Sequence, residues 1–101
     1  MPAAPLSEAE VRRALSGLAG WSGSPAGLER TWRFASFPAA IGFMHEAAAG
    51  IERRNHHPEW TNVYDRVRVL LRTHDAGDRV TAADVDLAMF LDEQAREHGG
   101  A

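Results

Sequence analysis

Apolar positions along this chain switch between a helical period and a period of two, and each switch marks an element. Ser7 with Glu10 three places on forms a capping box, flanked by Leu6 and Val11 in staple positions. Val11, Ala14, Leu15 and Leu18 then share one helical face, and Gly17 and Gly20 supply the stop. Trp21 opens an extended piece, Ser22 to Gly27 has turn composition, and Leu28 to Phe34 alternates with Leu28, Arg30, Trp32 and Phe34 on one side. Arg30 is the odd member of that apolar face. Ser36 caps a second helix whose apolar positions, Phe37, Ile41, Met44, Ala48 and Ile51, fall at steps of four and three. Asn55 is suited to cap its C-terminus, and Pro58 forbids further helix while biasing His57 to an extended conformation.

From Trp60 to Thr73 the pattern is that of half-buried strand, with Val67, Val69 and Leu71 set against Arg66, Arg68 and Arg72. Asn62 to Asp65 interrupts it, and the pattern alone leaves one long strand or two open. Asp75 to Asp78 reads as a turn, and Thr81 with Asp84 is a second capping box, stapled by Val80 and Val85. The last helix carries Val85, Leu87, Ala88, Leu91 and Ala95, and Phe90 widens its apolar surface enough to suggest an oligomer contact through Leu87, Phe90 and Leu91. With the strand divided, the order is α-β-β-α-β-β-α. Short strands joined by tight turns then predict an α+β fold, a four-stranded antiparallel sheet with three helices on one face.

Composition narrows the function classes. The 101 residues, 45% apolar, form a single domain over 1–101, with about 1–5 and 98–101 expected to be flexible. The first residues hold neither a basic region nor an apolar run, and no segment approaches the ~18 apolar residues of a membrane span, so a soluble, cytoplasmic protein is expected. Cysteine is absent, which removes disulfides, thiolate metal sites and cysteine nucleophiles. A net charge of −3 argues against direct nucleic-acid binding.

The remaining chemistry sits with histidine, the side chain whose unperturbed pKa of about 6.5 lets it donate or accept a proton near neutrality. His56 and His57 stand at the exit of the second helix, and His74 stands at the far end of the following strands. The helix C-terminus, and Glu52 four places back, put negative charge beside His56. His57, held extended before Pro58, turns its ring away from that of His56. Adjacent histidines do not present two imidazoles in parallel, so no metal site is expected. Asp84 is explained by its capping box alone, and Trp21 and Trp60 are core aromatics that could also wall a pocket for a flat ligand.

These residues carry a resemblance. Glu52-x-x-x-His56-His57-Pro58-Glu59-Trp60, Asn62-Val63-Tyr64, Thr73-His74-Asp75, and Asp84 with Leu87-Ala88 resemble the pterin-4a-carbinolamine dehydratase family, also known as the dimerization-cofactor family. Gly20-Trp21, Arg30 and the Phe34-to-Phe37 entry to the second helix extend the likeness over nearly the whole chain. The resemblance implies a hydro-lyase that converts 4a-hydroxytetrahydropterin to quinonoid dihydropterin and water, recycling tetrahydrobiopterin. It implies no metal and no cofactor, the pterin being the substrate. It makes His56, His57 and His74 the catalytic candidates, with Glu52, Asn55, Thr73, Asp75, Trp21 and Asp84 as substrate-binding candidates. It also implies a homodimer or homotetramer and a functional link to an aromatic amino-acid hydroxylase. The alternative is a non-catalytic interaction module, a transcriptional dimerization cofactor working through the last helix. The turn after His74 is one residue longer than in animal members, and Ala83 stands where some carry Arg.

Overall fold

A computed structural model describes residues 4–101. Of the termini expected to be flexible, residues 1–3 lie outside the described residues. The elements run α1 (Glu8–Ser16), β1 (Ser22–Ser24), β2 (Gly27–Arg33), α2 (Phe37–Arg54), β3 (Glu59–Val63), β4 (Arg66–Leu71) and α3 (Ala82–Glu97), with a 3-10 turn, His74–Ala76, between β4 and α3. The four strands form one antiparallel sheet in the order β1-β2-β4-β3. This is the α+β order that the periodicity predicts. The interrupted stretch is two strands, turned at Tyr64, whose φ of 52° is left-handed, while the Asn62 amide bridges the carbonyls of Tyr64 and Arg66.

Both capping boxes form, at Ser7/Glu10 and Thr81/Asp84, so the starts of α1 and α3 are set by local sequence. Leu28, Trp32, Val67, Val69 and Leu71 put one face of the sheet into the core, where Val11, Phe43, Ala47, Leu87 and Leu91 of the helices meet it. The opposite face carries Thr31, Arg33, Thr61, Arg66 and Arg68 to solvent. Phe43 is central, with its ring 5.2 Å from both Trp32 and Phe34 and 6.3 Å from Trp60.

Two expectations about helix faces are corrected. The buried stripe of α2 is Ala40, Phe43, Ala47, Gly50 and Ile51, whereas Phe37 and Ile41 are exposed. The first turns of α2 are apolar nearly all round, so periodicity admits two stripes. The one with the smaller residues wins because α3 approaches closely: a Cβ on Gly50 would lie 2.1 Å from Cζ of Phe90. In α3, Leu87 and Leu91 are fully buried in the domain's own core, and the large apolar side chain left exposed there is Met89. The contact surface expected from Leu87 and Leu91 is therefore consumed by folding.

Arg30 lies on the core side of the sheet, and the reason is Asp92 of α3. The Asp92 carboxylate accepts from Arg30 Nη1 at 2.8 Å, Trp21 Nε1 at 2.9 Å and Trp32 Nε1 at 3.2 Å. One acidic residue thus pairs with a largely buried arginine, whose Nη1 also donates to the Ala19 carbonyl at 2.9 Å, and satisfies two buried indoles, while the buried Arg30 Nε has no partner among the described residues. At the C-terminal end, Ala101 and Arg33 exchange two backbone hydrogen bonds of 3.0 Å. The segment 98–101, expected to be flexible, is tied to β2 in this way.

Candidate active site

The exit of α2 is built by Asn55, which takes the left-handed conformation (φ 48°, ψ 40°) and donates its backbone N–H to the Glu52 carbonyl. Asparagine tolerates this conformation, and Pro58 prevents resumption of the helix, so His56 and His57 sit on a short extended bridge into β3. The second wall comes from the end of β4. Thr73 pairs with Arg79, its carbonyl accepts from Ala76 and Asp78, and the resulting tight turn presents His74. Because β3 and β4 are hydrogen-bonded neighbours, the two ends converge.

The result is a cleft of about 240 Å³ lined by Asn55, His56, His57, Pro58, Glu59, Thr73, His74 and Asp75. It adjoins an apolar groove that shares His57 and Pro58 and continues along Ala48, Ile51, Glu52 and Trp60. Six expected residues, Asn55, His56, His57, Thr73, His74 and Asp75, meet at the cleft, as the resemblance implies. Pro58 and Glu59 also line it, although neither was singled out as a site residue.

Each of the three histidines is held by a different carboxylate through one ring nitrogen. His56 Nε2 lies 2.6 Å from Asp84 Oδ1, His57 Nε2 lies 2.7 Å from Glu52 Oε1, and His74 Nδ1 lies 2.6 Å from Asp78 Oδ1. The other nitrogen of each ring has no protein partner among the described residues. The environments differ sharply: the His57 and His74 pairs are exposed, whereas His56 is mostly covered and the Asp84 side chain is fully buried. Asp84 Oδ2 also accepts from the Thr73 hydroxyl and the Thr81 backbone N–H, both at 2.8 Å.

Three assignments change as a result. Glu52 serves His57 and not His56, because the chain leaves the helix at Asn55 and the one-turn spacing no longer applies. Asp84 stands behind His56, with both oxygens engaged by protein groups, and does not line the cleft. Trp21 is a buried core residue bonded to Asp92 and is not among the residues that line the cleft or groove. Asp78 was missed, although its position four after His74 across a Gly-containing turn is the signal that would have found it.

Glu59 on the cleft wall is held as a carboxylate. Its hydrogen bonds from Arg72, at 2.8 and 3.3 Å, pull its pKa below the ordinary glutamate value, and the same bonds raise that of Arg72. A second cavity, of about 370 Å³, is lined by Arg30, Trp32, Asp92, Arg96 and several small residues. Its one carboxylate is engaged by Arg30 and the indoles. Among the described residues, no group of three or more His, Cys, Asp or Glu side chains is placed to hold a metal ion.

The sequence profile described as pterin 4 alpha carbinolamine dehydratase matches residues 4–94. The chain belongs to that family. A protein of Opitutus terrae, provisionally named a pterin-4-alpha-carbinolamine dehydratase, is 54% identical over 83 residues, covering 82% of this chain and 86% of its own. One from Rhizobium leguminosarum bv. trifolii, with the same provisional name, is 46% identical over 96 residues, covering 93% and 94%. A crystal structure of a transcriptional coactivator/pterin dehydratase from Brucella melitensis superposes with a TM-score of 0.84 at 39% identity, over 89% of this chain and 97% of that one. Relatives across the pterin carbinolamine dehydratase family thus support a dehydratase, on a fold shared through nearly the whole chain. Among the described residues, no helix is long and apolar enough to cross a membrane.

Proposed function

We propose that this chain dehydrates a 4a-hydroxytetrahydropterin to quinonoid dihydropterin and water by histidine acid–base catalysis. The observation that carries the reading is three imidazoles around one cleft, each anchored through one nitrogen and leaving the other for substrate. The C4a–O bond breaks as the departing hydroxyl takes a proton and leaves as water, and a ring N–H gives its proton to a base as the new double bond forms. Each such proton transfer typically contributes about 10²- to 10⁴-fold in rate. His56 and His74, on opposite walls, form the acid and base pair, and His57 orients the ring. Asn55, Thr73 and Asp75 supply polar contacts, and the groove along Trp60 receives apolar edges of the substrate.

Elimination of water is redox-neutral and needs only acid and base groups, so neither metal nor cofactor enters the proposal. The substrate's chemistry requires a preceding reaction that hydroxylates a tetrahydropterin at C4a, such as an aromatic amino-acid hydroxylase. A cysteine-free chain suits a reducing cytoplasm. Spectrophotometric turnover of enzymatically generated 4a-hydroxytetrahydropterin, with and without chelator, tests the reading. Turnover that survives chelation and falls at least 100-fold in His56→Ala is expected, and unchanged turnover in that variant refutes it.

A second reading, a protein-interaction module, is favoured by the name of the Brucella melitensis structure and by Met89, exposed on α3 beside Leu6 and Val85. Self-association as a dimer or tetramer is proposed as well. The exposed Phe37 and Ile41 of α2, and the outer edge of β3, which has one neighbour in the sheet, support it. Light scattering of the purified chain, with a pull-down from lysate, separates self-association from capture of a heterologous partner.

A further inference from the structure

We propose that Asp84 is a positioning residue that fixes His56 as the tautomer protonated on Nε2, so that Nδ1 is the nitrogen offered to substrate. The kinetic part of this inference rests on the acid–base reading of the cleft; the tautomer does not.

The argument is a count of protons around a buried carboxylate. Asp84 Oδ2 receives a backbone N–H from Thr81, a group that can only donate, so that oxygen must accept. It also receives the Thr73 hydroxyl proton at 2.8 Å. Having donated to Asp84, Thr73 Oγ1 must accept across its 2.7 Å contact with Thr81 Oγ1, so the Thr81 hydroxyl donates there. Thr81 Oγ1 in turn accepts from the Ala83 N–H at 3.2 Å. Every proton of the cluster is then accounted for without placing one on Asp84, and Oδ1 remains as an acceptor facing His56 Nε2 at 2.6 Å. An acceptor there demands Nε2–H, which leaves Nδ1 bare in the neutral ring.

The three dyads are not equivalent in this respect. Glu52 and Asp78 are exposed, so water competes with them for their histidines, and neither carboxylate is fixed by a network of donors. Asp84 is fully buried, is anchored by the start of α3 through the Thr81 capping box, and is tied to the end of β4 through Thr73. The same aspartate therefore starts a helix, closes a strand end and sets the proton on the one of the three cleft histidines that is mostly covered.

The network also dictates what Asp84→Asn must do. The amide oxygen has to take the place of Oδ2, because the Thr81 N–H and the Thr73 hydroxyl both donate there. The amide NH₂ is then left facing His56 Nε2 as a donor, and His56 must switch to the Nδ1–H tautomer. The nitrogen offered to the cleft becomes a donor where it had been an acceptor. In a Ser-His-Asp triad, where an aspartate orients a histidine in the same sense, the corresponding change lowers kcat by about 10⁴.

The test is ¹⁵N histidine NMR of the full chain above pH 8, combined with turnover of 4a-hydroxytetrahydropterin. Expected are Nε2–H for His56 in the wild type, Nδ1–H in Asp84→Asn, and a 10²- to 10⁴-fold lower kcat in that variant with little change in KM. Thr73→Val, which removes one donor to Oδ2 but not the Thr81 N–H, should keep His56 as Nε2–H. His56 found as Nδ1–H in the wild type overturns the inference even if Asp84→Asn does not fold. A folded Asp84→Asn protein that retains Nε2–H, or one that switches tautomer and keeps wild-type kcat, also overturns it. A wild type that shows Nε2–H but turns over no pterin supports the tautomer and refutes the proposed function instead.

Discussion

Glu52 Oε1 lies 2.7 Å from His57 Nε2, one residue beyond the histidine to which helical spacing would direct it. The left-handed Asn55 turns the chain out of the helix, and the carboxylate meets the next ring instead. Both partners are exposed, so the pair is screened and contributes about 0–1 kcal/mol to stability. Glu52→Gln should therefore leave thermal unfolding nearly unchanged, and should lower kcat less than Asp84→Asn does. Parallel melting curves and steady-state kinetics of the two variants check this.

His74 stands on a turn whose backbone is closed without its side chain, by the hydrogen bonds of Thr73 with Ala76, Asp78 and Arg79. Removing the imidazole should spare the fold. His74→Ala is expected to lose about 10²- to 10⁴-fold in turnover with a native circular dichroism spectrum. Asp78→Asn, which keeps the ring and loosens only its orientation, should lose less. A larger loss from Asp78→Asn than from His74→Ala would contradict the division of roles.

The positions that the sequence made legible are those governed by neighbours along the chain. Ser7/Glu10, Thr81/Asp84, the Asn55 cap and the His-His-Pro bridge all depend on residues within a few places of one another, and all take the expected form. What was hidden depends on contacts across the fold. Asp92 reads as one more charge on α3 until β2 brings Arg30, with Trp32, and Trp21 against it. Asp84 is accounted for by its cap, and nothing within a few residues shows that its second oxygen holds His56 from 28 positions away. The buried stripe of α2 was decided by how closely α3 could approach, a tertiary property that periodicity does not contain.

That close approach can be measured. A methyl at Gly50 would sit 2.1 Å from Cζ of Phe90 and 2.8 Å from each Cε, while the Arg54 guanidinium covers the same ring at 4.2 Å. Overpacking typically costs about 1–3 kcal/mol, against roughly 1 kcal/mol gained from replacing glycine within a helix. Gly50→Ala should be destabilised by about 1 kcal/mol or more in urea unfolding. Adding Phe90→Leu, which withdraws the ring, should recover most of that loss. Additive effects of the two substitutions would show that the contact is not the cause.

The Glu59–Arg72 pair gives a pH dependence of definite sign. Arg72 depresses the Glu59 pKa, so in the window between the folded and the ordinary values the unfolded chain binds more protons than the folded one. The pair's contribution is thus fully present above the ordinary glutamate range and is lost as pH falls through the folded value. Arg72→Met should raise the Glu59 midpoint in an NMR titration and flatten the acid limb of the stability curve. No shift of the midpoint would contradict the cause assigned to it.

Asp92 is the acidic residue on which Arg30, Trp21 and Trp32 converge. Asp92→Ala leaves a largely buried guanidinium without its carboxylate partner, though Nη1 keeps the Ala19 carbonyl, and two buried indole N–H groups without their acceptor. Breaking one side of such a pair costs about 3–5 kcal/mol, enough to lower the melting temperature of a chain this size by more than roughly 10 °C. Glu29→Ala, which breaks an exposed pair with Arg68, is the control and should cost no more than about 1 kcal/mol. An isolated buried ion pair can often be replaced by apolar residues at little cost, but this one cannot, because its carboxylate also serves Trp21 and Trp32. The double variant Arg30→Met with Asp92→Leu should accordingly stay about 1–3 kcal/mol below the wild type. Wild-type stability of that double variant would show that the indoles do not need Asp92.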